Sequence, residues 1–304
     1  MEKINTKEIL MDCHDYMMAK CSDNAKKDLH IFQLGNDPAS NKYVNNKIKK
    51  CEENGICTYY YKFGINDKNY DSVEYMNTIL NDIVGTTNGK VMVQLPASDK
   101  VDFDCIHYLA DVDGLSSDSQ NILYTDKVYE FIKHNKYFNV PATARACLYL
   151  TNVLYQKYLA EYRYDIQDTT TLKDATVLII GRSNLVGKPL ARLLDICNIT
   201  TLQAHSHTSE KSLLKMIDMA DIIVTAVGKH GVIDSSMFDD KHKKVIIDVG
   251  INFDENGKMC GDFKPLEQDK NKPIYYTPVP GGVGLFTVEN LIYNVLEIPV
   301  DFNI

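Results

Sequence analysis

The stretch Val177-Leu178-Ile179-Ile180-Gly181-Arg182-Ser183-Asn184-Leu185-Val186-Gly187-Lys188-Pro189 constrains the fold of this chain more than any other. Apolar, mostly β-branched residues run into a glycine turn, and Leu190, Leu193 and Leu194 follow at helical spacing. Strand, tight turn and helix in that order open a dinucleotide-binding fold, in which backbone N–H groups and the helix dipole face a pyrophosphate. The glycine spacing is Gly181-x-Ser183-x-x-x-Gly187 rather than G-x-G-x-x-G. Taken alone, the stretch is equally compatible with an ordinary strand-to-helix turn.

The segments downstream of Pro189 favour the nucleotide reading. Further strands are expected over Ile199 to Ala204, Asp221 to Gly228 and Val245 to Gly250, separated by helical segments. Repeated apolar runs of this kind suit a parallel sheet covered on both faces. Glycine closes three of these strands (Gly181, Gly228, Gly250), which permits close approach of a ligand. An NAD site usually carries Asp or Glu at the end of its second strand, on the ribose 2′-hydroxyl. Here that strand runs into His205-Ser206-His207-Thr208, with no acid. Ser206, with Arg182 from the first turn, is suited to a 2′-phosphate, so the pattern favours NADP over NAD; the alternative is that these are solvated loop residues.

The N-terminal half also alternates strand and helix. Leu29 to Leu34 reads as a strand ending at Gly35, and Ser40 as the N-cap of a helix closed at Gly55. A second strand, Cys57 to Phe63, leads through a loop to a helix with Val73, Met76, Ile79, Leu80 and Ile83 on one face; a third, Val91 to Leu95, stops at Pro96. Such an alternation implies a parallel sheet with right-handed crossovers. Ligands of open parallel sheets bind outside the carboxyl ends of the strands. Gln94 at the end of the third strand and Tyr43 at the start of the first helix both lie at that edge. Val44, Ile48 and Cys51 make the stripe of that helix that packs down, while Tyr43 and Lys47 are one turn apart on an adjacent face. Beside the Gln94 amide they would form a proton-handling cluster; the alternative is a solvated face with an incidental lysine.

Asp111-Val112-Asp113-Gly114 precedes a polar loop, Ser116 to Asn121. An acid before glycine commonly marks a turn; alternatively the carboxylate grips a ring bearing N–H donors, as a pterin does. Pro141 to Ala144 starts a long helix, with Leu148, Leu150, Val153 and Leu154 for burial, read as the link between domains. Asp254 to Lys258 reads as a turn between short extended segments. Thr277 to Gly284 holds two prolines and three glycines in eight residues, a rigid backbone able to lie along a flat ring. A helix from Thr287 to about Leu296 is expected to close the fold.

Composition sets outer bounds. At 304 residues and 44% hydrophobic content, two domains with their own cores are expected. A net charge of -8 argues against nucleic acid as a partner. The start has no apolar run of signal-peptide length, and no segment approaches membrane-spanning length. Eight cysteines without C-x-x-C or a Cys/His ligand spacing read as thiols in a reducing cytoplasm, with no metal site.

Together the motifs resemble the methylenetetrahydrofolate dehydrogenase/cyclohydrolase family over nearly the whole chain. The matching segments are Gly35 to Ser40 with Tyr43, Val44 and Lys47; Val93-Gln94-Leu95-Pro96; Asp111 to Gly114; Gly181-Arg182-Ser183 with Val186 to Pro189; Val245 to Gly250; and Thr277 to Gly284. The resemblance implies two α/β domains flanking a cleft: residues 1–140 plus 286–304 for the folate-binding catalytic domain, and 141–285 for a Rossmann-type NADP-binding domain. It implies a bifunctional enzyme that oxidises 5,10-methylenetetrahydrofolate to the methenyl form with NADP, then hydrolyses it to 10-formyltetrahydrofolate. Lys47 would be the principal catalytic residue, tuned by Gln94 and Tyr43. Tyr43 would also pack on the folate, Asp113 would bind the pterin, and Gly281 and Gly282 would line the substrate channel. Gly181, Arg182, Ser183, Gly187, Ser206 and Gly228 would hold the cofactor. A homodimer through the cofactor domain is also implied.

The chain departs from the family pattern at Ala110, where lysine is frequent, at Ser119 in place of asparagine, at Ala142 in place of cysteine, and at Leu285-Phe286 before Thr287. These departures bear on the shape of the folate pocket and the balance of the two activities. A dehydrogenase-only variant and a non-catalytic NADP-binding protein are the alternatives.

Overall fold

The computed structural model describes residues 1–19, 21, 28–64, 72–86, 89–160 and 171–302. Along the chain run β1 (Glu2–Lys3), α1 (Thr6–Met18), β2 (Asp28–Leu34), α2 (Pro38–Glu53), β3 (Cys57–Phe63), α3 (Ser72–Thr86), β4 (Lys90–Gln94), α4 (Ser117–Tyr124), α5 (Lys127–Lys133) and α6 (Ala142–Tyr158). They continue with β5 (Thr176–Ile180), α7 (Gly187–Ile196), β6 (Thr200–Ala204), α8 (Glu210–Met219), β7 (Ile222–Thr225), β8 (Ile233–Asp234), β9 (Lys244–Asp248), β10 (Asn252–Phe253), β11 (Met259–Cys260), β12 (Phe263–Lys264), β13 (Ile274–Tyr276) and α9 (Val283–Val295). The chain divides into two compact units: His14–Ala142 with Val288–Pro299, and Met1–Cys13 with Thr143–Thr287 and Val300–Ile304. No helix among the described residues is long and apolar enough to cross a membrane.

The first unit is built on a three-stranded parallel sheet of order β3-β2-β4. Alternation along the strands separates its faces. Phe32, Val91 and Val93 pack with Met76 and Leu80 of α3, and Val73, Ile79 and Ile83 fill the flanks. Full burial of Met76 and Leu80 is worth roughly 1.5–3 kcal/mol each. Gln33, Met92 and Gln94 alternate with those residues and point to the other face, where α2 lies. The loop expected between β3 and α3 falls at 65–71, outside the described residues. Two expectations are corrected here. The N-cap of α2 is Asp37, whose Oδ2 accepts from the Ser40 N–H at 2.7 Å, because Pro38 at the first helical position has no N–H to satisfy. The polar loop after Gly114 is helix α4: Ser116 caps it, and Ile122 and Leu123 supply the burial that its polar first turn concealed.

The second unit carries a six-stranded parallel sheet of order β1-β13-β9-β7-β5-β6. β5, β7 and β9 read as unbroken apolar runs because both faces are covered. β6 and β7 flank β5 on opposite sides, so the strand order reverses between β5 and β7, and ligand crevices of open sheets lie at such a point. Residues 1–13 cluster with this unit rather than with the first, because β1 pairs with β13. Helix α9 starts at Val283, four residues before the expected Thr287, continuing directly from the glycine-rich segment. Asp254 to Lys258 joins the antiparallel pair β10 and β11.

Candidate active site

In the first unit the site begins with α2. Val44 and Cys51 are fully buried and Ile48 partly so, which fixes the rotation of the helix and turns Lys47 onto β4. Lys47 is itself buried; its Nζ donates to Gln94 Oε1 at 3.2 Å and to Met92 Sδ at 3.2 Å. It also lies 4.8 Å from the Tyr43 ring centroid. Gln94 Nε2 donates to the Leu95 carbonyl at 2.6 Å, which orients the amide so that its oxygen meets the lysine. All of these acceptors are neutral. Burial therefore lowers the proton affinity of Lys47, against the opposing charge of Asp113.

Asp113 sits in the turn that follows the bridge between Val91 and Asp111. Desolvation pushes its carboxyl up to about 6, with Lys47 pulling it down and Asp111 adding to the rise. The four residues Tyr43, Lys47, Gln94 and Asp113 thus come from α2, β4 and one turn of a single unit, the first three in contact and the fourth coupled by charge. Two neighbours escaped sequence reasoning. Met92 was legible from its spacing, two residues before Gln94 and hence on the same face. The role of Asp111 was not, since nothing in its local pattern tells a turn acid from a buried one.

In the second unit the β5–α7 turn is tightly closed. A Cβ on Gly187 would lie 2.3 Å from the Gly181 carbonyl oxygen, and one on Gly181 would lie 2.5 Å from the Ala226 oxygen, with Gly181 at φ 125°. Glycine at 181 lets the turns after β5 and β7 touch at the point where the strand order reverses, and glycine at 187 lets the β5–α7 turn close on itself. Arg182 and Ser183 are exposed on the first of these turns, and Ser183 Oγ accepts from the Val186 N–H at 3.2 Å. Ser206 is exposed on the turn after the neighbouring β6, which Thr208 closes by accepting from the His205 N–H at 3.0 Å. The cradle at Gly181 and Gly187, with the exposed Arg182 and Ser183 on its turn and the exposed Ser206 on the neighbouring one, suits a dinucleotide bearing a 2′-phosphate.

The turn after β7 holds Gly228 at φ 71°. Its shape comes from a residue that sequence reasoning missed: fully buried Asp262 accepts from the N–H groups of Val227 (2.7 Å), Gly228 (3.2 Å) and Lys229 (2.8 Å). Asp248, at the end of β9, accepts from Thr225 Oγ1 and from the N–H groups of Gly250, Asp262 and Phe263. Gly281, exposed at φ 95°, accepts at its carbonyl from Thr6 Oγ1, and Gly282 packs so closely that a Cβ would lie 2.3 Å from the Pro278 oxygen. Among the described residues no group of three or more His, Cys, Asp or Glu is arranged to hold a metal ion.

Comparison with known proteins gives consistent matches. The family model described as "Tetrahydrofolate dehydrogenase/cyclohydrolase, catalytic domain" matches residues 3–113, and the one described as "Tetrahydrofolate dehydrogenase/cyclohydrolase, NAD(P)-binding domain" matches residues 163–301. The "Bifunctional protein FolD" of Polaromonas naphthalenivorans is 34% identical over 275 residues, covering 88% of this chain and 86% of the relative. That of Lactobacillus helveticus is 35% identical over 272 residues, covering 88% and 85%. Among solved structures, the bifunctional 5,10-methylenetetrahydrofolate dehydrogenase/cyclohydrolase of Thermoplasma acidophilum matches with a TM-score of 0.72 at 27% identity, over 96% of this chain and 94% of that one. The bifunctional enzyme FolD from Campylobacter jejuni matches with a TM-score of 0.70 at 28% identity, over 96% and 93%.

Proposed function

The chain belongs to the tetrahydrofolate dehydrogenase/cyclohydrolase family, and we propose that it carries both activities: oxidation of 5,10-methylenetetrahydrofolate with NADP, and hydrolysis of the resulting 5,10-methenyl cation to 10-formyltetrahydrofolate. The observation that carries this reading is the Lys47 amine, buried against the Gln94 carbonyl oxygen at 3.2 Å and beside the Tyr43 ring.

When bound, NADP supplies the acceptor for the hydride leaving the methylene carbon. That transfer needs no protein acid or base, only alignment of two rings. Hydrolysis makes the larger demand on this chain's residues. Water adds its oxygen to the electron-poor methenyl carbon and loses one proton; the bond from that carbon to the ring nitrogen N5 then breaks with its electron pair on N5, which takes up the remaining hydroxyl proton as the formyl C=O forms on N10. Lys47, whose proton affinity burial lowers, is the group that takes up the first proton. Gln94 holds one Lys47 N–H and so fixes the direction of the amine, while the Tyr43 ring supplies a flat surface for the folate. As a carboxylate, Asp113 accepts hydrogen bonds from the donor edge of the pterin. Gly281 and Gly282, without side chains, line the folate's path.

Gly181, Ser183, Gly187 and Gly228 admit the cofactor's phosphates and ribose to the backbone, and Arg182 with Ser206 takes the 2′-phosphate. NADP is favoured over NAD because no acid follows β6 to repel that phosphate. A cytoplasmic homodimer, associating through the cofactor-binding unit and with neither nucleic acid nor membrane as partner, completes the reading. Lys47→Met tests it: cyclohydrolase turnover is expected to fall about 10²–10⁴-fold, with NADP affinity within about twofold of wild type. Unchanged cyclohydrolase turnover would overturn the assignment.

A further inference from the structure

Asp111 lies two residues before the pterin-binding candidate, and its surroundings are more elaborate than a turn requires. It is 3% exposed, and its Oδ2 accepts from the Ser116 N–H at 2.7 Å and from Ser119 Oγ at 2.8 Å. Ser116 Oγ donates onward to Ser119 Oγ at 3.1 Å, and both serines are buried. Ser116 is the N-cap of α4 and Ser119 lies in its first turn, so one carboxylate ties that helix to the Asp111–Gly114 turn. The turn is also held from other sides. The Val91 N–H donates to the Ala110 carbonyl at 2.7 Å and the Val112 N–H to the Val91 carbonyl at 3.2 Å, on the strand that carries Met92 and Gln94. Gly114, at φ 63°, is packed so closely that a Cβ would lie 3.0 Å from Pro141.

Burying a carboxylate is expensive, and a turn needs no buried acid to form. We propose that Asp111, secured by Ser116 and Ser119, is a positioning residue that holds Asp113 opposite Lys47. The inference rests on the reading of Lys47 and Asp113 as catalytic and pterin-binding groups. The charged or titratable groups acting on Asp113 are Lys47 from α2 and Asp111 in its own turn; Cys51, one turn along α2, acts on Lys47. Around Asp111 the donors are Ser116 and Ser119 at the start of α4 and the Gly114 backbone in its own turn, all neutral, while Asp118 of α4 pairs with the exposed His107 instead. Asp111 therefore acts on Asp113 in two ways. It fixes the backbone, and its negative charge raises the proton affinity of Asp113, so that loss of the charge lowers it.

The test uses the full-length protein with 13C-labelled aspartate carboxyls. The Asp113 resonance is assigned by its loss in Asp113→Asn, and its titration is followed in wild type, Asp111→Asn and Ser119→Ala. The expected midpoint is about 6 in wild type and lower by half a unit or more in Asp111→Asn, in the general range by which a nearby like charge shifts a carboxyl. Methenyl hydrolysis is expected to fall about fivefold or more in kcat in both variants, with the NADP KM within about twofold, and the Asp111→Asn effect is expected to vanish in an Asp113→Asn background. An unmoved Asp113 midpoint, or an equal loss of kcat with Asp113 already replaced, would overturn the proposal. Ser119→Ala removes one donor only and keeps the kinetic arm decisive if Asp111→Asn fails to fold. Wild-type protein without hydrolase turnover would refute the functional reading, while the carboxyl titration would still decide the positioning role.

Discussion

Gly187→Ala isolates the cofactor cradle more cleanly than any polar substitution. The new Cβ would lie 2.3 Å from the Gly181 oxygen, 2.7 Å from the Gly181 carbonyl carbon and 3.0 Å from the Arg182 Cα. All three are backbone atoms, so no flexible side chain can yield. An ordinary carbon–oxygen contact begins near 3.4 Å, and relief requires the turn to move by about 1 Å. Overpacking of this kind costs roughly 1–3 kcal/mol. Alanine in place of glycine at the first residue of α7 returns up to about 1 kcal/mol. The net loss of stability is thus about 0–3 kcal/mol, and the protein is expected to fold. Function is expected to suffer more, since a misplacement of about 1 Å at a binding site can cost on the order of 100-fold. The assay is NADP binding by titration calorimetry, alongside hydrolysis of methenyltetrahydrofolate without cofactor. The expected result is NADP affinity weakened about 10–100-fold with hydrolysis within about twofold of wild type. NADP affinity within twofold of wild type would refute the placement of the cofactor on this turn.

Other perturbations probe separate links. Arg182→Ala removes a charge-assisted contact worth about 1.5–3 kcal/mol to a 2′-phosphate, so NADP affinity is expected to fall roughly 10–100-fold while NAD affinity holds; equal losses for both would contradict the role of Arg182. Because the Asp113 carboxyl titrates at about 6, it is the accepting carboxylate above that pH and protonated below it. The KM for the folate substrate should therefore rise as pH falls through 6, and an unchanged KM from pH 7 to 5 would remove Asp113 from pterin binding. Lys244, buried at the start of β9, donates to the carbonyls of Ile217 (3.2 Å), Asp218 (2.7 Å) and Ala220 (2.6 Å) at the C-terminal end of α8. Lys244→Met is expected to cost about 2 kcal/mol, a fall in melting temperature of about 4–8 °C, and calorimetry showing no shift would deny the capping role.

The strands that matter were legible because they are long and apolar. Cys57–Phe63 appears as read, and β4 differs by one residue at each end, since the backbone turns at Leu95 before Pro96. Short elements were not legible. Two residues such as Ile233–Asp234 or Phe263–Lys264 carry no periodicity, and only their mutual pairing makes them strands. Helix α4 was hidden for a related reason: Ser116 to Asn121 is polar in sequence, yet Ser116 and Ser119 are buried because their hydroxyls are spent on each other and on Asp111. Of the candidate site, Lys47 and Gln94 meet at the strand edge, a contact that the spacing of α2 allowed but did not single out from a solvated face. Asp262 had no comparable signal. Its partners are backbone N–H groups more than thirty residues away in sequence, and acids that bind backbone look the same in a sequence as acids that face water.

The most direct measurement follows purified protein with 5,10-methylenetetrahydrofolate and NADP at the absorbances of reduced cofactor and of the methenyl species, before and after acid quench. If one chain carries both activities, reduced NADP appears without build-up of free methenyl species, and acid then releases a methenyl signal equivalent to the formyl product formed. Methenyl accumulation during turnover, or no reduction with either NADP or NAD, would contradict it.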